Sequence, residues 1–131
     1  MRKVFSEQGP LAHANPFFQP RQGQIDMALA VAHNLTHGGS LVVEAGTGVG
    51  KTFAYLVPAL LSGERVLVST ATKALQDQLF ARDIPDLVKA LGLPVQLAML
   101  KGRGSYLCQQ RLALTSNASS TLPDRAAVAA L

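Results

Sequence analysis

At 131 residues the chain has room for one domain and not for two. Its 48% hydrophobic and 15% charged residues encode a packed core rather than a disordered segment, and no apolar run reaches the ~18–20 residues of a membrane span. The net charge of +4 suits a polyanionic partner without requiring one, and the N-terminus, MRKVFSEQGP, has no apolar segment behind its basic residues, so it does not read as a secretory signal.

Residues 1–20 carry Pro10, Pro16 and Pro20 with little periodicity and read as an irregular lead-in. From Gln22 to Leu35 the residues Ile25, Ala28, Leu29, Ala32 and Leu35 recur at helical spacing, and Gly38 and Gly39 close that helix. His33 and His37 fall four apart in its last turn. They could share a face as metal ligands, but the helix dipole there equally accommodates two partly positive rings. Residues 41–44 form a short apolar run leading into a glycine-rich loop, as a buried strand does. A helix over 52–61 follows, with Pro58 expected to kink it, since proline cannot donate to the carbonyl of Ala54.

Residues 66–69 are a second strand candidate, followed by a helix over 73–80. Asp83-Ile84-Pro85 reads as a cap and start for another helix closing at Gly92, and 95–100 is a third apolar run of strand length. Strands alternating with helices imply βαβ units, so the expected fold is α/β, a parallel sheet flanked by helices. Residues 115–121, TSNASST, read as a loop or linker, and a helix could begin at Pro123. The expected division is therefore a lead-in over 1–20, a nucleotide-binding domain over 21–114, and a different segment over 115–131.

Residues 45–52 read A-G-T-G-V-G-K-T. Gly46, Gly48 and Gly50 permit a sharp turn and close approach of phosphate oxygens to backbone N–H groups, flanked by Ala45, Thr47 and Val49. The helix that follows adds the positive end of its dipole. Lys51 would neutralise the β- and γ-phosphates of ATP, and the Thr52 hydroxyl would ligate Mg2+. Ala45 departs from the strict G-x-x-x-x-G-K-S/T pattern, but the strand–loop–helix context supports the motif. A glycine-rich turn that binds nothing is the poorer reading, because three alternating glycines cost backbone entropy.

A phosphate loop alone does not separate kinases, transporters and motors. Upstream stand Phe18, Arg21 and Gln24, in F-Q-P-R-Q-G-Q. A glutamine amide can bond bidentately to adenine and an aromatic ring can stack on the base, although a solvent-exposed glutamine in a first helical turn has the same spacing. Downstream, Ser69, Thr70 and Thr72 precede Lys73. Hydroxyls there could hold a nucleic-acid phosphate or simply cap the helix.

Together these stretches resemble the DinG/YoaA branch of the XPD-like superfamily-two helicases, over roughly residues 16–112. R-Q-G-Q is similar to the family's adenine segment and E-A-G-T-G-V-G-K-T to its motif I, where alanine commonly stands at the Ala45 position. V-S-T-A-T-K-A-L-Q-D-Q-L resembles motif Ia, which touches the DNA strand. K-G-R-G-S-Y-L-C at 101–108 is similar to the segment leading into the first of four cysteines that hold a 4Fe–4S cluster, and Cys108 matches that first ligand. A cluster needs about four thiolates, so one cysteine cannot complete it. A lone cysteine is otherwise a small hydrophobe.

The resemblance implies a RecA-like P-loop NTPase fold, here an incomplete first motor domain. Its 115–131 segment would begin the iron–sulfur insertion. It further implies ATP-dependent 5′→3′ DNA unwinding in a DNA-repair protein acting on single-stranded or forked DNA. The absence of a signal or membrane span makes a cytoplasmic protein the default, and a monomer is the expected state where the sequence leaves oligomerisation open. The family's Asp-Glu-x-His motif and second RecA-like lobe are not in these residues. The 131-residue chain is therefore expected to bind ATP weakly, to unwind nothing and to be poorly soluble. Another P-loop ATPase or kinase, or a non-catalytic nucleotide-binding module, is the alternative.

Overall fold

A computed structural model describes residues 1–117, with side chains through Leu114. The expected helix start at Pro123, and most of the 115–131 segment, lie outside the described residues. The backbone divides into two compact units, Met1–Leu97 and a second beginning at Ala98.

The first unit is built from helices. α1 spans Pro10–Ala14, α2 Gln22–His37, α3 Lys51–Leu61, α4 Lys73–Gln78 and α5 Ile84–Leu91. α2 packs on α3, while α5 packs on both α1 and α3. α3 is the centre of this arrangement. Its Ala54, Leu56 and Val57 are fully buried or nearly so, and removing a Leu- or Val-sized side chain from water stabilises by about 1.5–3 kcal/mol. α3 runs through Pro58 to Leu61, and the Pro58 carbonyl still accepts the Ser62 N–H at 3.0 Å.

Residues 1–20 are more ordered than their prolines suggest. Pro10 opens α1, where a missing N–H costs nothing, and Phe5 and Leu11 are buried in the core. The irregular lead-in is thus corrected: this segment covers α5 and supplies core side chains. Periodicity missed it because α1 is only five residues long, too short to display a repeat.

A second correction concerns Asp83-Ile84-Pro85. No new helix is capped there. α4 continues through a π-helical turn, Leu79–Asp83, directly into α5, and Asp83 has helical backbone angles with no capping bond. The Ile84 N–H reaches back five residues to the Leu79 carbonyl. A proline ring in a regular helix would strike the carbonyl four residues earlier, here that of Ala81, and the wider turn relieves that conflict. The predicted end at Gly92 is present. Gly92 has φ 65°, and the Leu93 N–H bonds to the Val88 carbonyl at 3.1 Å.

Among the described residues, no segment forms a strand. The runs 41–44, 66–69 and 95–100 have no ladder partner, and Val42, Leu67 and Leu100 are almost wholly exposed at 96%, 94% and 83%. An apolar run records a tendency to be buried. A strand also needs a neighbour in register to take up its N–H and C=O groups.

The second unit contains a 3-10 turn at Arg103–Ser105 and α6, Gln109–Asn117. Residues 115–117, expected in a loop, are instead the last turn of α6. The Leu112 N–H bonds to the Cys108 carbonyl, which places Cys108 at the start of that helix. No helix of the described residues is long and apolar enough to cross a membrane.

Candidate nucleotide site

Residues 45–50 connect the apolar run 41–44 to the N-terminus of α3, which begins at Lys51. Gly48 and Gly50 adopt φ values of 80° and 87°, the left-handed region that L side chains rarely occupy. Gly46 does not, and a Cβ there would meet nothing within 4 Å. Only two of the three alternating glycines are therefore required by the backbone of the loop itself.

Lys51 folds back over the loop. Its Nζ donates to the carbonyls of Ala45 and Gly46, each at 2.8 Å. Thr52, half-buried, is the second residue of α3, where helix N–H groups have no intrahelical acceptor. Tyr55, one turn on, is hydrogen-bonded to Thr52. Burial raises the Tyr55 phenol above its ordinary pKa; the bond to Thr52 opposes that rise and the nearby Asp83 carboxylate adds to it.

The helix before the loop faces it directly. Gln24, in the first turn of α2, is 4% exposed, and its Nε2 donates to the Gly50 carbonyl at 3.0 Å. A glutamine amide has two N–H groups and an acceptor oxygen, so this bond leaves one N–H and Oε1 for another partner. The solvent-exposed alternative for Gln24 does not hold in this structure. The Arg21 guanidinium also lies against the loop, 4.0 Å from where a Cβ on Gly48 would stand.

Arg21, Gln24, Val49, Gly50 and Thr52 share a cavity of about 380 Å³ with Phe17 and Phe18. Gln78, Arg82 and Asp83, from beyond the loop, also line it. The sequence around Asp83 reads as a helix cap. The available signal was an acidic residue beside a proline inside a helical pattern, which marks a break in hydrogen bonding but not the direction of the carboxylate.

The remaining candidates lie elsewhere. Thr72 accepts the Leu75 N–H at 3.2 Å and so caps α4, while Thr70 Oγ1 donates to the Thr72 carbonyl at 3.2 Å. Ser69 and Lys73 are exposed. His33 and His37 stack, with ring centroids 4.1 Å apart, and His37 Nδ1 lies 2.9 Å from the His33 carbonyl. Among the described residues no group of three or more His, Cys, Asp or Glu could hold a metal. Cys108 is a free, exposed thiol, so the described residues do not by themselves fit an iron–sulfur cluster.

A lysine and a threonine opening a helix behind a glycine loop, with a glutamine buried against that loop, define the phosphate-loop class of ATP-binding proteins. Comparison with known proteins narrows the class. The sequence model of the DEAD/DEAH box helicases matches residues 26–126, and the chain belongs to that family. A protein of Escherichia coli (strain K12) named ATP-dependent DNA helicase YoaA is 51% identical over 123 residues, which are 94% of this chain and 19% of the relative. The protein of the same name from Haemophilus influenzae is 51% identical over 109 residues, 83% of this chain and 17% of its own length. The ATP-dependent helicase DinG of Mycobacterium tuberculosis (strain H37Rv) is 52% identical over 100 residues, 70% of this chain and 15% of its own length. The chain thus spans less than a fifth of the length of these curated relatives.

Proposed function

We propose that these residues form the ATP-binding part of the first motor domain of an ATP-dependent DNA helicase with 5′→3′ polarity. The observation that carries the reading is the bond between Gln24 and Gly50. It joins the adenine segment to the phosphate loop in a chain of the DEAD/DEAH family. Lys51 and the loop N–H groups would hold the phosphates, Thr52 would hold Mg2+, and Gln24 with Arg21 would meet the base end of the nucleotide. Bound Mg2+ supplies charge neutralisation on the phosphates. Ser69, Thr70, Thr72 and Lys73 would contact single-stranded or forked DNA through its backbone.

The apolar runs 41–44, 66–69 and 95–100 are proposed as neighbouring strands of a parallel RecA-like sheet. Slow amide exchange at Val42 and Leu67 in the longer protein supports that sheet, and exchange as fast as in an open chain counts against it. Cys108 is proposed as one ligand of a 4Fe–4S cluster in that longer protein, a cytoplasmic and monomeric DNA-repair enzyme. A Cys108→Ser preparation that retains full iron content removes this assignment.

The helicase reading is tested with a 5′-tailed duplex. The longer protein should separate it in the presence of ATP, and Lys51→Ala should not. The 131-residue chain alone, which has no Asp-Glu-x-His sequence to position an attacking water, should bind nucleotide weakly and leave the duplex intact. Unwinding by that chain would refute the division of labour proposed here.

A further inference from the structure

Asp83 is 7% exposed, and a buried carboxylate is costly unless its oxygens find donors. Both oxygens do. Oδ2 accepts from Gln78 Nε2 at 2.8 Å, and Oδ1 accepts from Arg82 Nε at 3.1 Å. Residues five apart do not share a face of a 3.6-residue helix, and the π-helical turn at Leu79–Asp83 is what brings Gln78 and Asp83 together. Such turns are frequent at functional sites.

The Arg82 side chain is 66% exposed and lines the cavity that also contains Gly50 and Thr52. With Nε held by Asp83, its two Nη groups remain as a planar fork. That fork matches phosphate oxygens better than an ammonium does. Val49, Gly50 and Thr52 are the residues of the 45–52 motif that line this cavity, beside Arg21 and Gln24, so the fork faces the junction between the phosphate loop and the base end of the nucleotide.

We propose that Arg82 is a phosphate-contacting residue of the nucleotide site and that Asp83 is the positioning residue that aims its guanidinium into the cavity. This rests on the nucleotide reading of the phosphate loop and adds a cation from outside it.

The test is an NMR titration of the 131-residue chain with Mg·ADP, AMP and adenosine, a readout that follows millimolar binding. Arg82→Ala should weaken ADP binding by about fivefold, the scale of one partly exposed charge-assisted contact, and leave adenosine within about twofold. The loss should shrink in high salt. Arg82→Lys should restore part of it. Asp83→Asn should reproduce the phosphate-dependent loss in the wild-type background and add none to Arg82→Ala, which separates positioning from support of the fold.

Equal losses for ADP and adenosine would mean a structural role and overturn the proposal. If Lys51→Ala abolishes ADP binding while Arg82→Ala leaves it unchanged, the proposal falls and the nucleotide site stands. If the wild-type chain binds no ADP, both fall. Arg82 is exposed, so its variants keep the test decisive should Asp83→Asn fail to fold.

Discussion

Gly50 is the residue at which loop conformation and tertiary packing meet, and Gly50→Ala perturbs both at once. Its φ of 87° and ψ of 36° place it in the left-handed region, where a Cβ costs about 1–2 kcal/mol. The added Cβ would also overlap Gln24 Nε2 and stand 3.0 Å from Gln24 Cδ. Gln24 would have to leave, with loss of a hydrogen bond contributing about 0.5–1.5 kcal/mol. The sum is about 1.5–3.5 kcal/mol, a large part of the stability of a domain of this size.

The assay is urea unfolding followed by circular dichroism. At a slope of about 1–3 kcal/mol/M the midpoint should fall by roughly 0.5–3.5 M. A second arm isolates the two causes. In a Gln24→Ala background the overlap is gone, so Gly50→Ala should cost only the backbone strain of about 1–2 kcal/mol. Gly46→Ala is the control and should stay within about 0.5 kcal/mol, since a Cβ there meets nothing within 4 Å. If Gly50→Ala and Gly46→Ala unfold at the same urea concentration, the left-handed loop and its packing against Gln24 are both refuted.

Gln24→Ala should reduce the discrimination of ATP from GTP in competition binding, because the amide is the polar group of α2 buried against the loop; unchanged discrimination removes Gln24 from base recognition. Thr72→Ala should destabilise by about 1 kcal/mol through loss of the cap on the Leu75 N–H, measured by the same unfolding assay. In the longer protein it should also weaken single-stranded DNA binding, and a stability loss with unchanged DNA affinity assigns Thr72 to capping alone. Leu87→Ala, at a side chain 1% exposed where α5 meets the core, should cost about 2–5 kcal/mol. A near-neutral result would mean α5 does not pack as described.

The helices were legible because their signals are local. Gln22–His37 shows itself through Ile25, Ala28 and Leu29 and ends at a glycine, and the loop at 45–52 announces itself by residue type alone. Gln24 was legible as a candidate, but its burial and its bond to Gly50 depend on residues 26 apart. Asp83 was misread for the same reason. Beside Pro85 its local pattern is that of a cap, and only the π-helical turn sets its carboxylate against Gln78. The short α1 carried no repeat to read. The apolar runs at 41–44 and 66–69 express a preference for burial, but pairing in register depends on residues far apart in the chain, which a local run does not record.

The bonds of Lys51 to Ala45 and Gly46 also bear on how an anion would enter. The loop is already closed on a cation, so its curvature does not have to be created when phosphate arrives, and little ordering entropy is lost at that moment. An incoming phosphate instead inherits an ammonium already in place and trades two carbonyl acceptors for its own oxygens. Affinity then measures the difference between two sets of charge-assisted bonds rather than the strength of either. On the proposed function, such a loop is a mould formed in advance, which can release its ligand without being rebuilt.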